Sequence, residues 1–182
     1  DAVVAQHGRL DILVNNAGGS PASAVAEASP RFVDAILKLN MVGPLYMAQA
    51  AYPHMVAQKG GSIINIASVS GARPSPGTTI YGMAKAGLIN MTQSLAQEWG
   101  RDAIRVNAII AGLMTTENAE ATYGDAAAQA AVGQSMPLGR MGTGDDLAGA
   151  VLWLSSEDAQ WVSGARLQGG ERPYFLDLVK GG

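Results

Sequence analysis

The sequence predicts an α/β protein in which a parallel sheet is flanked by helices, and three observations predict it. Short, nearly continuous apolar runs recur along the chain, longer segments of helical period separate them, and 48% of the 182 residues are hydrophobic, enough to fill a sizeable core. The charge balance sets other classes aside. Twelve Lys and Arg against 15 Asp and Glu, a net charge of -3, with no long basic run, offer no face for nucleic acid. The absence of cysteine excludes a disulfide framework and a thiolate metal site, and His7 and His54 form no H-E-x-x-H pair, so no metal ligands are expected. No run approaches the ~18 apolar residues of a membrane span. The opening DAVVAQHGRL also lacks the basic flank and apolar stretch of a secretory signal, so the expectation is a cytoplasmic protein with no membrane partner.

Each element follows in order. A helical stretch leads into the first apolar run, Leu10, Ile12, Leu13 and Val14, read as a strand. Ser29 before Pro30 has the form of a cap and first-turn proline. From there Phe32, Ile36 and Leu39 recur at helical spacing, so 30–58 reads as one long or two consecutive helices with a break at Pro44. Ile63, Ile64 and Ile66 form the second strand. Ala84, Leu88, Met91 and Leu95 line one face of a helix over 79–99 that stops at Gly100. Val106, Ala108, Ile109 and Ile110 form the third strand. The polar, alanine-rich stretch 115–134 reads as a flap before Met136-Pro137-Leu138-Gly139-Arg140, and Asp145 and Asp146 open a helix with Leu147, Val151, Leu152 and Leu154 on its buried side. Residues 164–167 are a weak fourth strand. With no repeat and no linker, residues 1–182 read as a single domain.

The residues that carry chemistry are Ser68, Tyr81 and Lys85. Tyr81 and Lys85 stand at i and i+4, which puts phenol and ammonium on one helix face. A tyrosine titrates near ~10, and a fixed positive charge together with a helix N-terminus favours its phenolate. Ser68 follows the second strand at the carboxyl end of a parallel sheet, where open α/β folds gather ligands. Taken alone, Tyr-x-x-x-Lys is also the pattern of an ordinary exposed helix pair, and Ser70 competes with Ser68 for the serine's part. His7 and His54 read as surface residues at helix ends, and the methionines as core or pocket filler.

Five motifs in order give these residues a context. LDILVNNAG, with Asn15-Asn16-Ala17-Gly18, KLNMVG around Asn40, INIASVSG around Ser68, YGMAK at 81–85 and MPLGRMG at 136–142 resemble the classical short-chain dehydrogenase/reductase family over nearly all of residues 8–164. Ser68 and Tyr81 keep the thirteen-residue separation common in that family. The resemblance implies a Rossmann-like, doubly wound parallel sheet with helices on both faces. It also implies an NAD(P)-dependent oxidoreductase that interconverts a secondary alcohol and a ketone, or reduces a related carbonyl. Tyr81 would be its acid/base, Ser68 would hold the substrate oxygen, and Lys85 would lower the tyrosine pKa and bind the nicotinamide ribose. Asn40 would hold a kinked helix and a water. Asn16, Ala17 and Gly18 would line the adenosine side, while the Met114 backbone and the Thr116 hydroxyl would meet the carboxamide. A homotetramer packed through 30–58 and 79–99 is likewise implied.

The chain departs from the family pattern in definite places. It has neither the glycine-rich TGxxxGxG turn nor the residue that selects NAD or NADP, and Gly142-Thr143-Gly144 does not replace the turn because no strand precedes it. With Asp at position 1, the expectation is a C-terminal two-thirds of a longer enzyme, its first βαβαβ part missing and the strand at 10–14 left as an open edge. A non-catalytic remnant that binds partners through its long helices is the alternative. Ala111-Gly112 stands where the family has Pro-Gly, and GARLQGGERPYF at 164–175 is shorter than the usual last strand and leaves its register open. Substrate identity rests with 113–135, whose landmarks are few beyond alanines and Tyr123.

Overall fold

The computed structural model describes residues 2–117 and 119–170. Four strands, β1 (Ile12–Asn15), β2 (Gly61–Ser68), β3 (Ile104–Ala111) and β4 (Arg166–Gly169), form one sheet in the order β1-β2-β3-β4. Every pairing is parallel, with Asn15 opposite Asn65, Ser68 opposite Ala111, and Ala111 opposite Gly169. The fold is the expected Rossmann-like α/β arrangement, and the three apolar runs are its first three strands. β4 lies two residues later than its sequence pattern suggested. The expected correspondence in 164–175 beyond Gly170 falls outside the described residues.

The helices are α1 (Ala2–His7), α2 (Pro30–Leu37), α3 (Gly43–Ala57), α4 (Thr79–Trp99), α5 (Ala119–Tyr123), α6 (Ala126–Gln134) and α7 (Gly144–Ser155). They cover both faces of the sheet, because alternate strand residues point to opposite sides. Ala48, Ala51 and Met55 of α3 and Leu95 and Ala96 of α4 pack on Ile63, Ile104 and Val106. On the other face Leu154 of α7 packs on Ile64, Ile66 and Ile109, with Leu147 and Val151 beside it. Leu152 does not join them: it is 71% exposed, one residue out of the buried stripe.

Helix ends show how local chemistry places these elements. Ser29 Oγ accepts from Phe32 N at 3.2 Å and Pro30 occupies the first turn, as the sequence indicates. Thr143 and Asp146 form a reciprocal capping box at α7, and Arg140 makes a two-pronged contact with the Asp146 carboxylate at 2.6 and 2.7 Å. That guanidinium, with the Thr143 N–H, holds the exposed carboxyl well below its ordinary range. The left-handed residue after α4 is Ala103, at φ 57°, and not Gly100, which continues into a 3-10 turn.

The break expected at Pro44 lies earlier. Lys38–Val42 form a π turn in which Gly43 N–H bonds back to Lys38 O, and Pro44 sits harmlessly in the first turn of α3. The cause is Asn40, which is fully buried and donates Nδ2 to its own i-4 carbonyl, Ile36 O, at 2.9 Å.

A second buried polar chain ties the sheet to the helices. Asn15 Nδ2 donates to Asn65 Oδ1 at 2.8 Å, Asn65 Nδ2 donates to Thr92 Oγ1 at 2.9 Å, and Thr92 Oγ1 donates to Leu88 O at 2.8 Å. Replacing fully buried Asn65 by leucine strands Asn15 Nδ2 on a long 3.4 Å contact with Pro44 O. The expected loss is about 1–3 kcal/mol of stability. Urea unfolding checks it, and a change within about 0.5 kcal/mol would show that this network is not a determinant of stability.

Candidate active site

The site lies at the carboxyl ends of the strands. Ser68 is the last residue of β2, and its Oγ accepts from Ser70 N at 3.2 Å, so the hydroxyl caps the 3-10 turn Val69–Gly71. That turn packs on α4 because glycine permits it: a Cβ at Gly71 would stand 2.5 Å from the Lys85 carbonyl carbon, and one at Gly82 would stand 2.7 Å from Ser70 O. The two surfaces bring Ser68 beside the half-buried phenol of Tyr81, where the serine favours the ionised form of that phenol. Ser70 turns elsewhere and accepts from Ser75 Oγ at 3.1 Å.

Lys85, one turn further along α4, points at the sheet. It is 3% exposed, and its ammonium donates to Ile66 O at 2.8 Å and lies 5.6 Å from the centre of the Tyr81 ring. Burial lowers its pKa to about 8. Burial also raises that of Tyr81, an effect Ser68 opposes and the nearby Tyr123 reinforces. The amine therefore loses its proton before the phenol does. The simple sequence argument, a fixed positive charge pulling the phenol down, omits this: burial makes that charge titratable.

Asn40 lies on the other side of Lys85 and clamps the chain leaving β1. Gly19 N donates to Asn40 Oδ1 and Asn40 Nδ2 donates to Gly19 O, both at 2.9 Å. Gly18 is wedged between these groups: a Cβ there would stand 2.7 Å from Asn40 Oδ1 and 3.1 Å from Lys85 Nζ. Asn15 and Asn16 part company, the first buried in the network above and the second, with Ala17, exposed at the end of β1.

Past β3, Met114 pairs with Gly142, Thr115 N donates to Gly142 O at 2.8 Å, and Gly142 N donates to Leu113 O at 2.9 Å. Thr116 is exposed. The expected flap contains α5 and α6, and α5 brings the half-buried Tyr123 close enough to Tyr81 to act on it electrostatically. The alanine-rich sequence around Tyr123 gave no sign of that placement. An apolar cavity of about 280 Å³ lies behind, between α7 and the ends of β3 and β4, but Ser68, Tyr81, Lys85 and Asn40 do not line it.

The residues present fit the nicotinamide-ribose half of a dinucleotide. Among the described residues Lys85 gives one of its three ammonium protons to a protein partner although it is buried, which leaves donors for hydroxyl groups. The Gly18–Gly19 backbone beside it is open to a ligand, and a Cβ at Gly19 would meet nothing within 4 Å. No group of three or more metal-ligating side chains occurs among the described residues, and no helix there is long and apolar enough to cross a membrane.

A parallel sheet with a Ser, Tyr, Lys and Asn set gathered at its carboxyl end places the chain in the Rossmann-like class of α/β proteins. Comparison with known proteins narrows that class. The family model described as Enoyl-(Acyl carrier protein) reductase matches residues 1–169. The 3-oxoacyl-[acyl-carrier-protein] reductase FabG of Thermotoga maritima is 36% identical, over 90% of this chain and 66% of that protein. The 2-dehydro-3-deoxy-D-gluconate 5-dehydrogenase of Escherichia coli is 37% identical, over 90% of this chain and 65% of that one. Among solved structures, a gluconate 5-dehydrogenase from Burkholderia cenocepacia, in complex with NADP and tartrate, superimposes with a TM-score of 0.87 at 33% identity, covering 93% of this chain and 67% of that one. The chain belongs to the short-chain dehydrogenase/reductase family. It spans about two thirds of the length of the curated relatives it matches.

Proposed function

We propose that this chain carries the catalytic part of an NAD(P)-dependent oxidoreductase that interconverts a secondary alcohol and a ketone, or reduces a related carbonyl, within one dinucleotide-binding domain. The observation that carries this reading is the convergence of Ser68 at the end of β2 and Tyr81 in the first turn of α4 beside the buried ammonium of Lys85, which lies 5.6 Å from the centre of the tyrosine ring. In reduction, Ser68 donates a hydrogen bond to the carbonyl oxygen and Tyr81 delivers its phenolic proton to that oxygen as negative charge builds there; in oxidation Tyr81 takes the proton back. Lys85 stabilises the phenolate left behind and holds ribose hydroxyls. Asn40 keeps the Gly18–Gly19 backbone against Lys85, and Asn16, Ala17, Gly18, Met114 and Thr116 line the cofactor's path. NAD or NADP, when bound, supplies or accepts the hydride. FabG and the gluconate dehydrogenases in the comparison support carbonyl and alcohol chemistry, and the NADP in one of them supports the cofactor class.

Screening the protein expressed from its native gene with NADH and NADPH against ketones, keto sugars and 3-oxoacyl thioesters tests the reading, with loss of reduced-cofactor absorbance as the signal. No oxidation of either cofactor by any of these carbonyl classes would overturn it. The pH dependence has a definite sign. Burial holds Tyr81 above its ordinary pKa, so it stays a proton donor, while Lys85 discharges near 8. The kcat for carbonyl reduction is therefore expected to fall as pH rises through about 8. A profile that stays flat to the phenol's own range would show that the Lys85 charge is not needed.

A homotetramer packed through α3 and α4 belongs to the same proposal. Tyr46, Met47 and Met83, at 59%, 53% and 53% exposure, supply apolar surface on these helices. The alternative, a module that binds partners through its long helices, draws on the same exposed apolar surface of α3 and α4. A protein with no dinucleotide affinity would favour that alternative.

A further inference from the structure

The three elements that carry candidate site residues meet at one side-chain amide. β1 leads to Gly18, β2 ends in Ser68, and α4 bears Tyr81 and Lys85. Asn65, fully buried in β2, accepts from Asn15 Nδ2 of β1 at 2.8 Å and donates its own Nδ2 to Thr92 Oγ1 of α4 at 2.9 Å. Thr92 is also fully buried and stands seven residues after Lys85, two turns along the same helix face. The next strand residue, Ile66, lies one place beyond the last β1–β2 pair, and its carbonyl takes the Lys85 ammonium at 2.8 Å. Successive residues of β2 therefore hold α4 at two levels. Between them the packing is apolar, with Leu88 and Ile89 on Ala67 and Ile110. Apolar contact is non-directional and does little to set the roll of a helix, whereas a hydrogen bond is directional.

We propose that Thr92 is a positioning residue for Lys85: through Asn65 it sets the roll of α4, and with it the place of the buried ammonium between Ile66 O and the Gly18 backbone. A side-chain amide is planar, so once Asn15 holds its oxygen the Nδ2 of Asn65 points one way, and the Thr92 hydroxyl has to meet it there. Lys85 follows, because it is fixed to the same helix face. A Cβ at Gly18 would stand only 3.1 Å from Lys85 Nζ, so a small roll of α4 changes what the ammonium can reach. What the placed ammonium then does, holding ribose hydroxyls, rests on the function proposed above. Thr92 Oγ1 also donates to Leu88 O at 2.8 Å, a bond of the kind that bends helices. Ser94 makes the same bond to Asn90 O at 3.2 Å on the exposed face of α4, which allows the bend to be told apart from the contact with Asn65.

The test compares Thr92→Val, which keeps the shape and removes the hydroxyl, with Thr92→Ser, which keeps the hydroxyl and removes the methyl, in the protein as its native gene encodes it. Ser94→Ala is the control. The measurements are the urea midpoint, the dissociation constants of NADH and NADPH by calorimetry and, without cofactor, the Lys85 ammonium signal in a nitrogen-15 spectrum of lysine-labelled protein. Thr92→Val and Thr92→Ser should both lower the urea midpoint, the first by stranding Asn65 Nδ2 and the second by opening a cavity. Thr92→Val alone is expected to weaken cofactor binding, by about two- to tenfold, and to broaden the ammonium signal as its protons exchange faster with water. Equal losses of affinity in Thr92→Val and Thr92→Ser would overturn the proposal and leave Thr92 a residue of the fold alone. Unchanged affinity with an unchanged ammonium signal in Thr92→Val would overturn it too, and a Ser94→Ala that weakens binding as much would assign the effect to the helix bend instead. An unaltered protein that binds neither cofactor would overturn the proposed function, while the ammonium signal in Thr92→Val would still decide whether Thr92 places Lys85.

Discussion

Tyr81→Phe is expected to lower kcat for carbonyl reduction by about 10²–10⁴-fold while cofactor affinity stays within about threefold, a difference smaller than one net hydrogen bond. The phenol stands in the first turn of α4 beside Ser68, the serine that favours its ionised form. Phenylalanine keeps the ring beside the Lys85 ammonium and removes only the oxygen. Ser68 keeps its bond from Ser70 N, so the turn that carries it stays in place. The fold is therefore expected to be preserved, with stability changed by no more than about 1 kcal/mol. Steady-state rates and a cofactor titration on the same preparation separate the two effects. Near-normal turnover would mean that the proton comes from elsewhere, and lost cofactor binding would mean that the phenol is a binding group.

How much of this was legible in the sequence depended on how local each cause is. The first three strands and the span of α4 came from runs and periods within ten to twenty residues, and Ser29-Pro30 named its own helix start. The π turn was not legible because its cause is tertiary. Asn40 is drawn inward by Gly19, which lies 21 residues earlier, and its side chain then takes the carbonyl of Ile36. Asn65 carries no signal in the sequence of its own strand, because its partners, Asn15 and Thr92, are 50 and 27 residues away. Gly100 does end α4, as its place after the periodic run indicated, but the chain goes on into a 3-10 turn and the left-handed conformation falls on Ala103.

The candidate site divides in the same way. Ser68, Tyr81 and Lys85 could be singled out because their spacing encodes one strand end and one helix face, while Asn40, in the π turn, could be named only through the family resemblance. What could not be named was the state of each group, since titration depends on burial. A lysine 3% exposed beside a backbone carbonyl is a weaker base than its sequence context suggests. Tyr123 lay in a stretch with no period to read, so its place near Tyr81 appeared only in three dimensions. Polar residues that close on one another across the fold leave their mark on geometry before they leave one on pattern.

Gly71→Ala is expected to cost both activity and stability, and it tests whether the serine is positioned by the turn or by its strand. The alanine Cβ would stand 2.5 Å from the Lys85 carbonyl carbon and 2.6 Å from Ala86 N, both backbone atoms in the middle of a 21-residue helix that cannot yield locally. The turn Val69–Gly71 must therefore lift off α4, and it begins at Ser68, which is both its cap and the neighbour of Tyr81. A displacement of about 1 Å between reacting groups lowers turnover by about 10²-fold, and forcing a methyl into close-packed backbone costs about 1–3 kcal/mol. Both should be read on one protein, by kcat and by the urea midpoint, next to Gly77→Ala. Gly77 lies in the same loop at φ 79°, where a Cβ would meet nothing within 4 Å, so that variant strains the backbone without touching α4. If Gly77→Ala loses stability but keeps its turnover while Gly71→Ala loses both, contact between turn and helix sets the Ser68–Tyr81 geometry. If Gly71→Ala keeps its turnover, β2 alone holds Ser68 in place and the packing of the turn serves only the fold.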